Sequence, residues 1–332
     1  MKIVKVGEKM KNILIIHTGG TISMMEDKET GEVTITNERP LSALSHHFYS
    51  YANVDEVNEM DLPSPQITPK HMLQLAKRIE RETSSYDGFV ITHGTDTLEE
   101  TAYFLDLVLK TDKPVILTGA MRSSNEIGSD GLYNLINSIR VAVEPESASK
   151  GVLVVMNDEI HTARNVTKTS TSNVATFQSP QYGPLGIITK DSIIFHHTII
   201  SRYTQAIDKI SSKVFLLKAY AGMDEQIVRA IHTINPDGLV IEAFGQGNLP
   251  KETLPALQEM IDDHIPIILV SRCYQGIVQP TYGYEGGGKQ LKAMGIILAN
   301  GLTGPKARIK LLIALEKTND FTLLTKAFEK YK

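Results

Sequence analysis

Apolar residues fall along the first half of the chain in four short, nearly unbroken runs, at 12–17, 88–92, 114–118 and 151–156. Runs of this length suit strands buried on both faces. Between them, Met72, Leu75, Ala76 and Ile79 recur at helical spacing behind Thr68, an N-cap, and Pro69 at the first helical position. Leu98, Ala102, Leu105 and Leu109 repeat the stripe behind Thr97 and Glu100, which read as a capping box. Such alternation predicts parallel pairing through crossovers, hence an α/β sheet covered by helices on both faces.

The second half repeats the pattern, with strands over 214–219, 238–243 and 266–271 and helices near 224–233 and 251–263. A polar stretch of mixed pattern at 190–212 separates the halves. The expected organisation is a larger N-terminal α/β domain over 1–190, a linker over 191–212 and a smaller C-terminal α/β domain over 213–332.

Composition sharpens this picture mainly by exclusion. The 332 residues are 42% hydrophobic and 22% charged, which suits a folded globular chain and excludes disorder. A net charge of −4 offers no broad footprint to a polyanion, so neither nucleic acid nor an anionic membrane is an expected partner. The single cysteine, Cys273, cannot form an intrachain disulfide and reads as a small buried hydrophobe. Charges crowd the start of the chain and its first apolar run, 13–16, is four residues long, unlike a signal peptide. The expected location is the cytoplasm.

In open parallel sheets ligands sit beyond the carboxyl ends of the strands. Three such ends pack glycine with hydroxylated residues: His17-Thr18-Gly19-Gly20-Thr21-Ile22, Thr92-His93-Gly94-Thr95-Asp96-Thr97 and Thr118-Gly119-Ala120-Met121-Arg122. Such loops let a ligand approach the backbone and present N–H and hydroxyl groups to it, although any one alone is also an ordinary strand-to-helix turn. The fourth run feeds a polar loop in which Lys168 lies between threonines. A threonine hydroxyl needs a neighbouring base to act, and a partly desolvated lysine oriented by a carboxylate can serve. Thr95, Asp96 and Lys168 supply that set, against the commoner fate of a lysine as a solvated surface residue.

Thr18-Gly19-Gly20-Thr21-Ile22 and His93-Gly94-Thr95-Asp96-Thr97-Leu98-Glu99-Glu100-Thr101 together resemble the two signature patterns of the bacterial-type L-asparaginase family. The resemblance continues through Thr118 to Arg122, Asn165-Val166-Thr167-Lys168, Gly245-Gln246-Gly247-Asn248 and Asn300-Gly301-Leu302, and so covers essentially the whole chain. The His-Thr-Gly-Gly-Thr-Ile-Ser start and the Ser123-Ser124-Asn125-Glu126 stretch are more similar to the cytosolic type I branch than to the exported type II branch. The resemblance implies a flavodoxin-like N-terminal domain with a smaller C-terminal one. It also implies hydrolysis of L-asparagine to L-aspartate and ammonia through a β-aspartyl ester, with glutamine as a minor second substrate and no metal or organic cofactor.

Carried over residue by residue, Thr21 matches the family's nucleophile, while Thr95, Asp96 and Lys168 match its second catalytic set. Asp96 also matches the contact for the substrate α-amino group, and Ser64, with Pro65 beside it, the α-carboxylate site. The N–H of Thr95 and a group near Ala120 are candidates for the oxyanion hole. Asn248 and Glu285 resemble positions that a neighbouring subunit inserts, which implies a homodimer or homotetramer with sites at the subunit interface. Two positions depart from the family. Residues 24–37 hold no tyrosine where many members place one to bond the nucleophile, and Pro65-Gln66 stands where some have Gln-Asp.

Competing motifs are weaker. The glycine-rich 283–290 stretch has phosphate-loop spacing, but Gln290 replaces the magnesium-binding Ser or Thr. Residues 245–250 begin like a dinucleotide fingerprint and end in Pro250. The pairs His46/His47 and His196/His197 lack zinc-site spacing and read as surface residues, while His17 and His93 read as buried histidines satisfied locally. No Gly-x-Ser-x-Gly elbow occurs. Two other readings keep the fold. An amidotransferase subunit usually carries an extra N-terminal domain, and here about eleven residues precede the first strand. An amino-acid sensor would need neither two threonines nor a lysine.

Overall fold

β1 (Asn12–His17) leads into a 3-10 turn at Thr21–Ser23 and the antiparallel hairpin of β2 (Met24–Glu26) and β3 (Val33–Ile35). There follow β4 (Asn53–Asn58), a 3-10 turn at Ser64–Gln66, α1 (Pro69–Glu82), β5 (Gly88–Thr92), α2 (Leu98–Val108), β6 (Val115–Thr118) and α3 (Gly131–Val143). The first half closes with β7 (Val152–Met156), β8 (Glu159–Thr162), β9 (Thr167–Lys168), β10 (Phe177–Gln178), β11 (Gly186–Ile188) and β12 (Ile193–Phe195). The structure, a computed structural model, describes residues 10–27, 29–35, 48–200 and 202–329, so His46 and His47 lie outside the described residues. It divides into two units, Met1–Thr204 and Gln205–Lys332.

Unit one is built on an eight-stranded sheet in the order β12-β11-β8-β7-β6-β5-β1-β4. The strands from β4 to β7 pair in parallel, as the alternation of runs and stripes predicts. Every residue of β5, β6 and β7 is buried, which is why their sequences lack a polar face. Ile13, Ile15, Val90, Ile116 and Leu153 pack on one side against Leu135 and Ile139 of α3. β8, β11 and β12 join antiparallel at one edge, which the alternation did not predict. Asn157 and Asp158, at φ 49° and 64°, make the two-residue turn that sends β8 back along β7. β12 lies inside the stretch expected to link the halves, so residues 193–195 belong to the sheet.

α1 begins as its sequence predicts, with Thr68 Oγ1 accepting from His71 N–H while His71 Nδ1 accepts from Thr68 N–H. At α2 the expected capping box is absent. Thr97 makes no side-chain cap: its hydroxyl is turned toward the Ser64 carbonyl, to which it donates at 2.8 Å, instead of accepting from a first-turn N–H.

Unit two is a four-stranded parallel sheet of β13 (Val214–Lys218), β14 (Gly238–Ala243), β15 (Ile267–Ser271) and β16 (Ile297–Leu298), in that order. Its helices are α4 (Glu225–Thr233), α5 (Leu254–Asp262), α6 (Gly288–Ala293), α7 (Gly304–Leu315) and α8 (Phe321–Glu329). Val228, Leu257 and Met260 from α4 and α5 share a core with Leu239, Ile241 and Leu269. Within α7, Lys306 and Lys310 are buried, and Lys310 Nζ stands 4.9 Å from the centre of the Phe328 ring. Cys273 is exposed, correcting the expectation of a buried hydrophobe: it lies past the end of β15 in a turn where its N–H donates to Ser271 Oγ. No described helix is long and apolar enough to cross a membrane.

Candidate active site

The carboxyl ends of β1, β5 and β6 are bound to one another by backbone. Thr18 N–H donates to Thr92 C=O at 3.1 Å and His93 N–H to Thr118 C=O at 2.9 Å, which carries the parallel ladder past the last strand residues. Gly20, at φ 87°, crosses Gly94 so closely that a Cβ on Gly20 would stand 2.3 Å from the Gly94 Cα. Immediately after it, Ile22 is buried, and its side chain fills the space in front of Gly131 beside the Ala120 methyl. Thr21 is therefore seated between two fixed neighbours, one against the β5 loop and the other against the β6 loop.

Lys168 reaches this region from β9. Its Nζ donates to Thr95 Oγ1 at 3.0 Å and to Asp96 Oδ1 at 2.8 Å. The two-residue strand is short, yet it is held from both sides: Lys168 pairs with Phe177, and Thr167 Oγ1 donates to Glu99 Oε1 at 3.1 Å from the first turn of α2. Asp96 remains more than half exposed, with a side-chain exposure of 59%, against 17% for Lys168. The hydroxyl, carboxylate and amine that the sequence pairs are thus in direct contact.

Ser64 joins the same cluster from the turn before α1. It is buried, its Oγ accepts from Asp96 N–H at 3.2 Å and its carbonyl accepts from the Thr97 hydroxyl. Pro65 and Gln66 are exposed beside it. Gly94 makes room for the serine, since a Cβ there would stand 2.7 Å from the Ser64 Cβ.

The β6 loop is shaped by Asp130, whose carboxylate accepts from Met121 N–H at 3.1 Å and Arg122 N–H at 3.0 Å. Asn134 of α3 donates to Gly119 C=O at 3.1 Å and accepts from Asn157 N–H at 3.1 Å. Ala120 and Thr95 are both buried, and among the described residues their N–H groups have no acceptor. Two buried N–H groups in that condition are suited to a ligand oxygen.

The histidines beside the cluster are occupied within the fold. His93 is buried, its Nδ1 2.7 Å from Gly94 C=O and its Nε2 2.9 Å from the Thr101 hydroxyl, and burial pushes its pKa down to about 4. His17 contacts the Thr92 hydroxyl at 2.9 Å and Glu56 at 3.1 Å. His196 and His197 are exposed at the far edge strand.

Asn248 and Glu285 lie in unit two, on adjacent loops. Asn248 Oδ1 accepts from Gly288 N–H at 3.1 Å, and Leu249 N–H donates to Gly286 C=O at 2.9 Å. Sequence reasoning passed over Asp130 and Asn134, which shape the β6 loop. Their signal was a carboxylate and an amide four residues apart at the start of a helix that follows a glycine-rich strand end.

The two units are the two domains of an α/β amide hydrolase: residues 12–201 match the model of the N-terminal asparaginase domain, and residues 213–328 that of the glutaminase/asparaginase C-terminal domain. The chain belongs to the asparaginase family. It is 39% identical to a probable L-asparaginase of Deinococcus radiodurans, over 92% of this chain and 93% of that one. It is 36% identical to L-asparaginase 2 of Escherichia coli strain K12, over 97% of this chain and 94% of the relative. Its fold matches the crystal structure of a probable cytoplasmic L-asparaginase from Campylobacter jejuni with a TM-score of 0.86 at 33% identity, covering 97% of this chain and all (100%) of the other.

Proposed function

We propose that this protein is an L-asparaginase that converts L-asparagine to L-aspartate and ammonia through a β-aspartyl ester on Thr21. The observation that carries the reading is Lys168 Nζ bridging Thr95 and Asp96 at 3.0 and 2.8 Å, in the loops that seat Thr21. A surface lysine with no chemical task gains little from such convergence, because an exposed pair contributes only about 0–1 kcal/mol.

Asp96 takes the substrate α-amino group with its exposed carboxylate. Ser64, whose oxygen is already accepting from Asp96 N–H, turns its proton to the α-carboxylate, with Pro65 shaping that wall. The side-chain carbonyl oxygen of the substrate then lies toward the N–H groups of Thr95 and Ala120, which stabilise negative charge as it develops.

In the first half-reaction Thr21 Oγ bonds to the amide carbon, the C–N bond breaks and the threonine proton leaves with ammonia. In the second, water attacks the ester carbon. Its proton is relayed through the Thr95 hydroxyl, which Lys168 holds in place, the ester C–O bond breaks, and that proton reaches Thr21 as aspartate leaves. Asn248 and Glu285 are assigned to a neighbouring subunit's site, so the working enzyme is a homodimer or homotetramer, and its compartment is the cytoplasm.

The test is ammonia release by purified protein from L-asparagine, L-glutamine and D-asparagine in parallel, with Thr95→Val as control. Release from L-asparagine that disappears in the variant is expected. A folded protein that releases none from any of the three overturns the reading.

A further inference from the structure

The strand that leaves Thr21 is gripped on its second edge by two side chains of the β6 loop. Asn125 Nδ2 donates to Glu26 C=O at 2.7 Å, and Asn125 Oδ1 accepts from Glu26 N–H at 2.8 Å. The carboxamide thus supplies both bonds that a neighbouring strand would make. Beside it, the N–H and Oγ of Ser124 both donate to Met24 C=O, at 3.3 and 3.0 Å. Met24 N–H in turn closes the Thr21 turn by donating to Thr21 C=O. A three-residue strand paired with β3 alone is marginal in water, so these added bonds decide where β2 lies.

The grip has its own foundation. Ser123 N–H donates to Glu126 Oε2 at 3.3 Å, Arg122 Nη1 donates to Gly128 C=O at 3.0 Å, and Asp130 holds the N–H groups of Met121 and Arg122. This is the same loop that carries Ala120. An exposed asparagine on it has no packing role of its own, yet its amide is spent on a strand 99 residues away in sequence.

We infer that Asn125 is a positioning residue for the reaction. Its amide bracket fixes the Thr21 turn to the Ala120 loop, so that the attacking hydroxyl and the Ala120 N–H are placed from one support. This rests on the reading of Thr21 as nucleophile. The residue acts through the Glu26 backbone and touches no substrate, so its loss is expected in the chemical step and not in binding. Asn125→Asp is nearly isosteric and keeps the acceptor, but it sets a carboxylate oxygen against Glu26 C=O, so it should perform no better than Asn125→Ala.

The experiment is steady-state ammonia release by full-length Asn125→Ala, Asn125→Asp and Ser124→Ala, with thermal unfolding of each and Thr21→Ala alongside. The expected result for both Asn125 variants is a kcat lower by roughly 10- to 100-fold, with KM moved less than about threefold and Tm within about 2 °C. Ser124→Ala, which removes one hydroxyl bond and leaves the loop backbone in place, should lower kcat by roughly 3- to 10-fold and reports on the grip if an Asn125 variant unfolds early. A folded Asn125→Ala with kcat within threefold of the parent, or one whose loss is all in KM, overturns the inference, as does an unfolded Asn125→Ala accompanied by unchanged kcat in Ser124→Ala. Should Thr21→Ala keep most of its activity, the nucleophile assignment itself falls. An inactive Thr21→Ala beside a fully active Asn125→Ala removes the positioning role alone.

Discussion

Gly20 and Gly94 touch backbone to backbone: a Cβ on Gly20 would come within 2.3 Å of the Gly94 Cα and 2.4 Å of its nitrogen. Neither chain can yield without moving a strand end. Gly20→Ala, at φ 87°, therefore displaces the Thr21 turn as well as straining it. The expected result is at least a 100-fold fall in kcat/KM, in line with about an ångström of misplacement at a reacting centre, and a stability loss of about 1–3 kcal/mol. Ammonia-release kinetics with urea unfolding checks both, and kcat/KM within threefold of the parent would refute the crossing as a constraint.

Lys168→Met separates chemistry from packing. The methionine keeps much of the aliphatic stem but removes the bonds to Thr95 and Asp96. Since Asp96 is largely exposed, stability should change by no more than about 1 kcal/mol, whereas kcat should drop roughly 100- to 10,000-fold. Differential scanning calorimetry and initial rates on one preparation decide it. Retained turnover would remove Lys168 from the reaction.

His93 gives the domain an acid sensitivity. Its pKa is pushed down to about 4 by burial, against 6.5 in an unfolded chain, so between these values the unfolded state binds the extra proton. The stability held by the neutral ring is complete above pH 6.5 and lost as pH falls toward 4, by about 3 kcal/mol in all. Urea unfolding at pH 7 and pH 4.5 should show this loss in the parent and a smaller one in His93→Gln. Equal pH slopes for the two proteins would be the contrary result.

Glu316 makes a second acid-labile tie, within unit two. Burial disfavours its charge, but N–H and hydroxyl donors of Ser211 and Ser212, at 2.6 to 3.2 Å, outweigh that and hold its pKa below the ordinary glutamate value of 4.5. Its contribution is present above that value and fades as pH falls below it. Glu316→Gln should cost about 1–3 kcal/mol at pH 7 and progressively less below pH 4. Chemical unfolding at both pH values is the check, and a pH-independent difference would exclude ionisation as the source.

Much of this was legible in the residues because complete burial leaves a plain mark. β1, β5, β6 and β7 read as apolar runs, and the helices between them as stripes. β2 with β3 and β8 with β11 and β12 left little mark, since strands of three or four residues with polar members have no period to detect. The contact between Lys168, Thr95 and Asp96 could be proposed from residue type and strand-end position. What could not be read was where a hydroxyl is turned: Thr97 has the pattern of an N-cap, and only the fold reveals that its side chain points to the Ser64 carbonyl instead of accepting from the first turn of α2. Asn125 was equally silent, because its partner is a backbone unit, and a main-chain carbonyl looks alike in every sequence.

Asn134 leaves one more consequence. Its single buried side chain ties the end of β6, the start of α3 and the turn after β7. A loop hung from the middle of the sheet in this way has no private melting event. Heat that disorders the Ala120 loop must already have loosened the central strands, so loss of catalytic power and loss of tertiary structure should trace a single curve, with no interval in which a folded but inert domain accumulates.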